Sequence, residues 1–485
     1  MEKPIPNNEA AEADYTRLRE IFNNSGFTLE AICQRLKIGR LSELDPLVVR
    51  LRDLGALATA ADTFIHLFVE GKPLSHDAFT AETHALLKRL NLIEILDETT
   101  FAATVALYPI EHLFIASDRY NSADGSQFDG FDDIVYPCLF ETTARFIRIL
   151  PRTPCGPVLD LCSGTGVAAL LLAKTSEHTY AADLTERCTL FARFNQRLNG
   201  VTNSSVVTGD LYSPVAGLTF DRIVVHPPYQ PVFRHQQIFN SGGIDGEQIT
   251  RRCVEEASAH LRPGGRLYCL AQITAREKSV DQRIREWITV PDTDIAFYIT
   301  KRHEIELFAA KATLTTKGDQ LDFREWLRTF SRMGVRSLDY GLLIVERHAK
   351  PHEAFTLSRK TPDAWHPADF ERSFAFELDR WCNPEFEKHL WPRQLRLTPT
   401  AKLEVEHGVD LEGGWKLEQY RITQSGPFDV KIQASQGIAH LLGLFDGSRT
   451  VDQCFHELEQ TGASVDRRGF VDTVVAMISE GFLTL

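Results

Sequence analysis

"VLDLCSGTGVAALLLAK", Val158 to Lys174, is the stretch that decides the fold. Its first residues read as a buried strand, "SGTG" as a tight turn, and the Ala/Leu-rich remainder as a helix. Gly164 and Gly166 have no Cβ, so the backbone of the turn can approach a ligand closely. The free N–H groups that open the helix point to the same place. A strand, a glycine turn and a helix in that order open a doubly wound α/β sheet. Outward from this unit, six more apolar runs recur: "TYAAD", "SSVVTGD", "DRIVVH", "GGRLYCLAQ", "DIAFYIT" and "YGLLIVER". Helical stretches separate most of them. The reading is an α/β fold with a Rossmann-like, seven-stranded, mostly parallel sheet over residues 116–350.

The glycines alone leave the ligand open, because Gly164-x-Gly166-x-x-Ala169 also fits a dinucleotide fingerprint with Asp183 as its ribose-binding acid. Three carboxylates shift the reading. Asp160 closes the strand before the turn, where it would repel a pyrophosphate and suits the cationic amino acid end of S-adenosylmethionine. Asp183, at the end of "TYAAD", can accept both ribose hydroxyls. In "VVTGDLYSP", Asp210 is placed to accept from an adenine amino group, and Leu211 to pack on the ring. The expected cofactor is therefore S-adenosylmethionine, and no metal is called for.

The next strand ends in "DRIVVHPPYQP", Asp221 to Pro231, a rigid corner tipped by an aromatic ring. Pro227 and Pro228 fix φ and stiffen it, and Tyr229 can stack on a planar amide or base. Taken in isolation, such a corner is no more than a strand-ending turn. Here it follows "GDLYSP" and a buried strand.

Residues 135–270 resemble the class I S-adenosylmethionine-dependent methyltransferases of the "NPPY" group, in particular the enzymes that methylate a glutamine side chain of peptide-chain release factors. The likeness rests on separated pieces in the same order: "VYPCLFET" (Val135–Thr142), "VLDLCSGTG", "GDLYSP", the "HPPY" corner, and "GGIDGEQITRRCVEEASAHLRPGGRLYCL". It implies cofactor contacts from Asp160, Cys162, Gly164, Gly166, Asp183, Asp210 and Leu211, and substrate contacts from Glu141, Thr142 and Pro228. It also implies that the residue at 226 and the Pro227 carbonyl accept the two hydrogens of a planar nitrogen, directing its lone pair at the methyl group. Two positions depart from the pattern. Cys162 stands at the family's first glycine, and His226 stands where the family has asparagine. A neutral imidazole can accept a hydrogen bond and an imidazolium cannot, so an unshifted His226 would fail below about pH 6.5.

The implied activity is N-methylation of a planar amide or amine nitrogen, with a protein glutamine favoured. Two alternatives remain open: an exocyclic amine of an RNA or DNA base, and a non-catalytic scaffold that binds cofactor and peptide. The net charge of −13 counts against a large nucleic-acid surface. Arg35, Lys37, Arg40, Arg50 and Arg52 could touch phosphates, although residues 1–100 hold 16 acidic and 11 basic side chains. The nine cysteines are scattered without a CxxC pair, and the N-terminus has no signal-peptide core, so a cytoplasmic location with reduced thiols is expected.

Residues 1–115 read as short helices in a winged-helix-like module, with Thr28 as an N-cap and Gly71 as a C-cap. Residues 351–400, rich in Pro, His and Trp, read as a connecting region. Residues 401–485 form a second winged-helix-like module, with a capping box at Thr450 and Gln453 and an apolar face of Phe470, Val474, Met477 and Ile478. From Leu441 onward this module holds seven acidic and three basic residues, which disfavours docking to nucleic acid. It carries no cluster suggestive of catalysis. The expected partner is a macromolecular substrate, protein ahead of nucleic acid, and no membrane.

Overall fold

All seven apolar runs are strands. In chain order they are β1 (Val158–Leu161), β2 (Thr179–Asp183), β3 (Ser204–Thr208), β4 (Phe220–Val225), β5 (Leu261–Ala275), β6 (Thr293–Glu304) and β7 (Ser337–Arg347), followed by β8 (Thr356–Lys360). They come from a computed structural model that describes residues 3–45, 49, 53–120, 131–232, 238–315, 320–362, 366–409, 414–460 and 466–484. The chain divides into two compact units, residues 1–272 with 345–347, and residues 273–344 with 348–485.

In the first unit the strand order is β7–β5–β4–β1–β2–β3, β7 being represented by residues 345–347. Neighbours from β5 through β3 are parallel. Such strands are covered on both faces, which is why their sequences are continuous apolar runs: Val158, Leu159 and Leu161, and Phe220, Ile223, Val224 and Val225, are fully buried. The sheet helices are α1 (Glu141–Ile149), α2 (Val167–Leu172), α3 (Glu186–Leu198) and α4 (Gln248–Glu255).

The N-terminal segment contributes helices Glu12–Ser25, Leu29–Leu36, Ala60–Phe68 and Ala81–Arg89 and a three-stranded sheet of residues 74–75, 100–103 and 93–95. It shares one core with the sheet helices. Tyr15, Phe22 and Phe68 belong to the same buried cluster as Leu171, Phe191 and Phe194. The line drawn at residue 115 falls inside the strand Leu113–Ser117, whose backbone is held by the side-chain amides of Asn195 on α3 and of Asn199, its C-cap. Thr28 caps its helix by accepting from the Ala31 N–H at 3.2 Å. Gly71 is not the C-cap: that helix stops at Phe68, and Gly71 takes a left-handed φ of 70° three residues later.

In the second unit the order is β8–β6–β7–β5, with β5 represented by residues 273–275. Much of the stretch read as a connecting region is ordered. A 16-residue helix spans Pro367–Cys382. Its proline sits in the first turn, where no N–H is missed, and Phe370, Phe374 and Glu377 recur on its buried face. The C-terminal part begins with a three-stranded antiparallel meander (Lys402–Val409, Trp415–Ser425, Asp429–Ala434) and continues with helices Gln436–Leu444, Val451–Gln460 and Arg467–Ser479. Thr450 and Gln453 form a reciprocal capping box at 2.8 and 3.2 Å. Phe470, Val474 and Met477 are buried, while Ile478 is half-buried. Among the described residues no helix is long and apolar enough to cross a membrane.

Candidate functional site

Strand register brings the chemistry to one edge. Leu161 pairs with Ala182 on one side and Val225 on the other, so Cys162, Asp183 and His226 leave the sheet at the same level. Asp183 pairs with Thr208, which puts Asp210 two residues beyond the end of β3. This is the carboxyl edge of a parallel sheet, where β1 meets β2 and β4 at the change of winding direction, the usual ligand crevice of such folds.

The glycine loop is held from three directions. The Gly164 N–H donates to Asp183 Oδ2 at 2.8 Å, the Ala169 N–H of α2 donates to Asp160 Oδ2 at 3.1 Å, and the Asn195 side chain donates to the Thr165 carbonyl at 3.0 Å. Gly164 and Gly166 have φ of 52° and 75°. A Cβ on Gly166 would lie 3.0 Å from the Ala192 Cβ, whereas the space around Gly164 is open. Cys162 also has a left-handed φ, 54°, which accounts for glycine being the easier residue at that position. A hydrogen bond with the free thiol of Cys253, together with burial, raises the Cys162 pKa well above normal.

The two buried acids differ from the sequence picture in charge. Burial pushes the Asp160 carboxyl up to about 8, with Asp183 adding to the effect and the Ala169 N–H opposing it. Near neutral pH Asp160 therefore carries its proton until a cation arrives. The repulsion of phosphate expected of it needs the ionised form, which burial disfavours. Asp183 is also raised, by burial, against bonds from Gly164 and Thr185. Its oxygens already accept from the Gly164 and Thr185 N–H groups.

Asp210 is 53% exposed and is gripped by Arg252 of α4 through two bonds, 3.1 and 2.8 Å. Leu211 is buried with a left-handed φ of 47°, a conformation imposed by the turn after β3. Arg252 escaped the sequence reading because its partner lies 42 residues away.

At the corner, Pro227 and Tyr229 are buried and Pro228 is half-buried. The "GGIDG" segment is folded against it. The Gln230 N–H donates to the Asn240 carbonyl, the Gly242 N–H donates to the Gln230 carbonyl, and the Val232 N–H donates to the Gly243 carbonyl. A Cβ on Gly246 would come within 2.4 Å of the Tyr229 carbonyl, so only glycine fits there. The His226 ring lies between Phe146 of α1 (centroids 5.3 Å, 26°) and Tyr229 (5.5 Å, 34°). Its Nε2 is buried and has no hydrogen-bond partner. Burial holds its pKa down to about 4, which moves the acid limit expected near 6.5 far below neutrality. Tyr136 stacks on Phe239 at 4.5 Å (18°) and contacts Phe140, extending the aromatic lining. Phe146 and Phe239 carried no motif signal, and Tyr136 lay within "VYPCLFET" without being singled out.

Glu141 opens α1 and bonds to Arg145 one turn on, at 2.6 Å, in the open. Thr142 lies one turn before Phe146 on the same helix. Of the basic cluster, Arg35 is buried in an ion pair with Glu70 at 2.5 Å and cannot meet a phosphate. Arg40 pairs with Glu43 at 3.4 Å. Arg50 and Arg52 lie outside the described residues.

An aromatic-capped corner beside a carboxylate-braced glycine loop, at the switch point of a parallel sheet, defines a nucleoside-binding α/β domain. The family model for the methyltransferase small domain matches residues 140–301. A "Putative protein N5-glutamine methyltransferase" of Methanocaldococcus jannaschii is 30% identical over 135 residues, 26% of this chain and 68% of that protein. The release factor glutamine methyltransferase of Thermodesulfovibrio yellowstonii is 28% identical over 124 residues, 23% of this chain and 44% of that protein. The ribosomal RNA small subunit methyltransferase C of Alcanivorax borkumensis is 30% identical over 116 residues, 24% and 32%. The chain belongs to the class I S-adenosylmethionine-dependent methyltransferases of the NPPY group. It spans less than half the length of the first curated relatives it matches.

Proposed function

We propose that this chain transfers a methyl group from S-adenosylmethionine to the side-chain amide nitrogen of a protein glutamine. The observation that carries the reading is the His226 Nε2, buried, unpartnered and flanked by aromatic rings at the carboxyl edge of the sheet. The residues fit the cofactor. Asp160 is a buried acid that gains from a cationic neighbour, Asp183 keeps accepting capacity for ribose hydroxyls, and the space beside Gly164 is open. Bound there, S-adenosylmethionine supplies a methyl group already activated on a sulfonium.

The remaining work falls to the corner. An amide nitrogen is planar and its lone pair is delocalised into the carbonyl. His226 Nε2 accepts one of its hydrogens and the Pro227 carbonyl the other, which fixes the plane and aims the lone pair along the line of displacement. Tyr229 and Phe146 cover the amide faces and exclude water. With its proton affinity held down to about 4, His226 acts as an acceptor and not as a store for the departing proton, which leaves to solvent.

The same aromatic corner suits the exocyclic amine of a base, and the likeness to a ribosomal RNA methyltransferase favours that second reading. The buried ion pair of Arg35 removes one of the cations it would use. The test is transfer of labelled methyl from S-adenosylmethionine into a cell lysate, treated in parallel with protease and nuclease. The expected result is a labelled band that protease destroys and nuclease spares. The reverse pattern establishes the nucleic-acid reading, and no transfer leaves the scaffold reading standing.

A further inference from the structure

A second constellation, in the other unit, has no place in methyl transfer. His348 and His352 lie in "HAKPH", directly after β7, and the backbone turns so that their rings stack 3.6 Å apart at 23°. Both face Asp294 on β6. The three side chains offer ligand atoms that all lie within 4.8 Å of one another. We propose that Asp294, His348 and His352 bind one divalent transition-metal ion of the zinc class, which fastens the segment after β7 to β6.

Hydrogen-bond logic supports an ion here. His352 Nδ1 lies 2.8 Å from the Lys350 carbonyl, and a carbonyl only accepts, so Nδ1 carries the proton. In the neutral ring Nε2 is then a lone pair, yet it sits 2.7 Å from Asp294 Oδ2, another acceptor. Two acceptors that close require a positive charge between them. A second proton on His352 would meet that need but leaves His348 unexplained. His348 is only 9% exposed, and its Nε2 is buried 3.2 Å from Asp294 Oδ1 without forming a hydrogen bond. One ion answers both rings.

The dimensions agree. Tetrahedral zinc with bonds of about 2.0–2.2 Å places its ligand atoms roughly 3.3–3.5 Å apart. The His348 contact, 3.2 Å, is already near that length, and the His352 contact, 2.7 Å, opens by about 0.6–0.8 Å on metal entry. Two imidazoles and one carboxylate are a donor set typical of zinc, with the fourth position left for water. The surroundings hold the ligands. The Phe355 N–H donates to Asp294 Oδ1 at 3.0 Å, and the His348 N–H donates to the Asp292 carbonyl at 2.8 Å. Arg285 is a cation whose charge reaches Asp294. Its guanidinium is spread over four oxygens, of Thr293 (carbonyl and hydroxyl), Phe355 and Thr356, at 2.7–3.2 Å.

The test uses the full, untagged chain. After dialysis against metal-free buffer, elemental analysis should find about one zinc per chain. Chelation should lower the melting temperature, and added Zn2+ should restore it. Co2+ substituted for zinc should give visible absorption bands from the bound ion. His348→Phe, which keeps the stacked ring, and His352→Gln should each lose the retained zinc and the Co2+ bands. Wild-type protein that holds no more zinc than His348→Phe would overturn the proposal. So would Co2+ bands that survive both substitutions, because the ion would then sit elsewhere.

Discussion

Binding of S-adenosylmethionine should drive a proton off the protein at neutral pH, and the source should be Asp160. In the free protein its carboxyl is held up to about 8 by burial, against an ordinary value of 3.8. Between those two values the unfolded chain has given up the proton and the folded chain keeps it, so the folded state loses stability as pH rises through that window. At pH 7 the window has been crossed by about three units, which is on the order of 4 kcal/mol held against the ionised acid. An ammonium group placed beside the carboxylate returns part of that free energy and releases the proton. Close to one proton per cofactor should appear at pH 7 and almost none at pH 9. Titration calorimetry in buffers of different ionisation enthalpy measures this directly, because the observed heat changes with the buffer in proportion to the protons released. Asp160→Asn should bind more weakly, with a heat independent of buffer. A buffer-independent heat in the wild type at pH 7, or equal release in Asp160→Asn, would refute the reasoning.

Other expectations follow from the same geometry. Gly166→Ala forces an L side chain into a left-handed φ and against Ala192, and should cost about 1–3 kcal/mol of stability, read as a lower urea midpoint. Arg35→Ala strips one partner from fully buried Glu70 and should cost about 3 kcal/mol, the low end for a broken buried pair because His66 and Lys72 remain. Its retention on a nucleic-acid column should not change. His226 is depressed from 6.5 to about 4, so the unfolded chain takes up a proton that the folded chain refuses as pH falls through that range. Wild type should lose about 1.5 kcal/mol more than His226→Asn between pH 6.5 and 5, measured by urea unfolding at both pH values.

The strands were legible because a parallel sheet buries both faces and therefore writes itself as uninterrupted apolar runs. The glycine loop and the corner were legible because each is local, a few residues whose spacing alone sets the backbone. What the sequence hid falls into two kinds. Arg252, Phe146, Asn195 and the Asp294–His348–His352 group act through partners tens of residues away, and no local pattern marks such pairs. The helix Pro367–Cys382 was hidden by composition, since its proline and histidine read as a loop although Pro367 only occupies the first turn and His366 caps it. Charge state was hidden as well. Asp160 reads as an anion in the sequence and becomes a neutral acid once burial is known.

The most direct measurement is the initial rate of methyl transfer to the protease-sensitive lysate substrate, at pH 7.5 and saturating S-adenosylmethionine, for wild type, His226→Asn and His226→Ala. If Nε2 of His226 is the acceptor that orients the amide, asparagine should restore an oxygen to that place and keep the rate within about tenfold. Alanine should lose on the order of a hundredfold or more, the usual cost of removing one preorganised hydrogen-bonding group. An alanine variant as fast as wild type, with its cofactor affinity unchanged, would contradict the account.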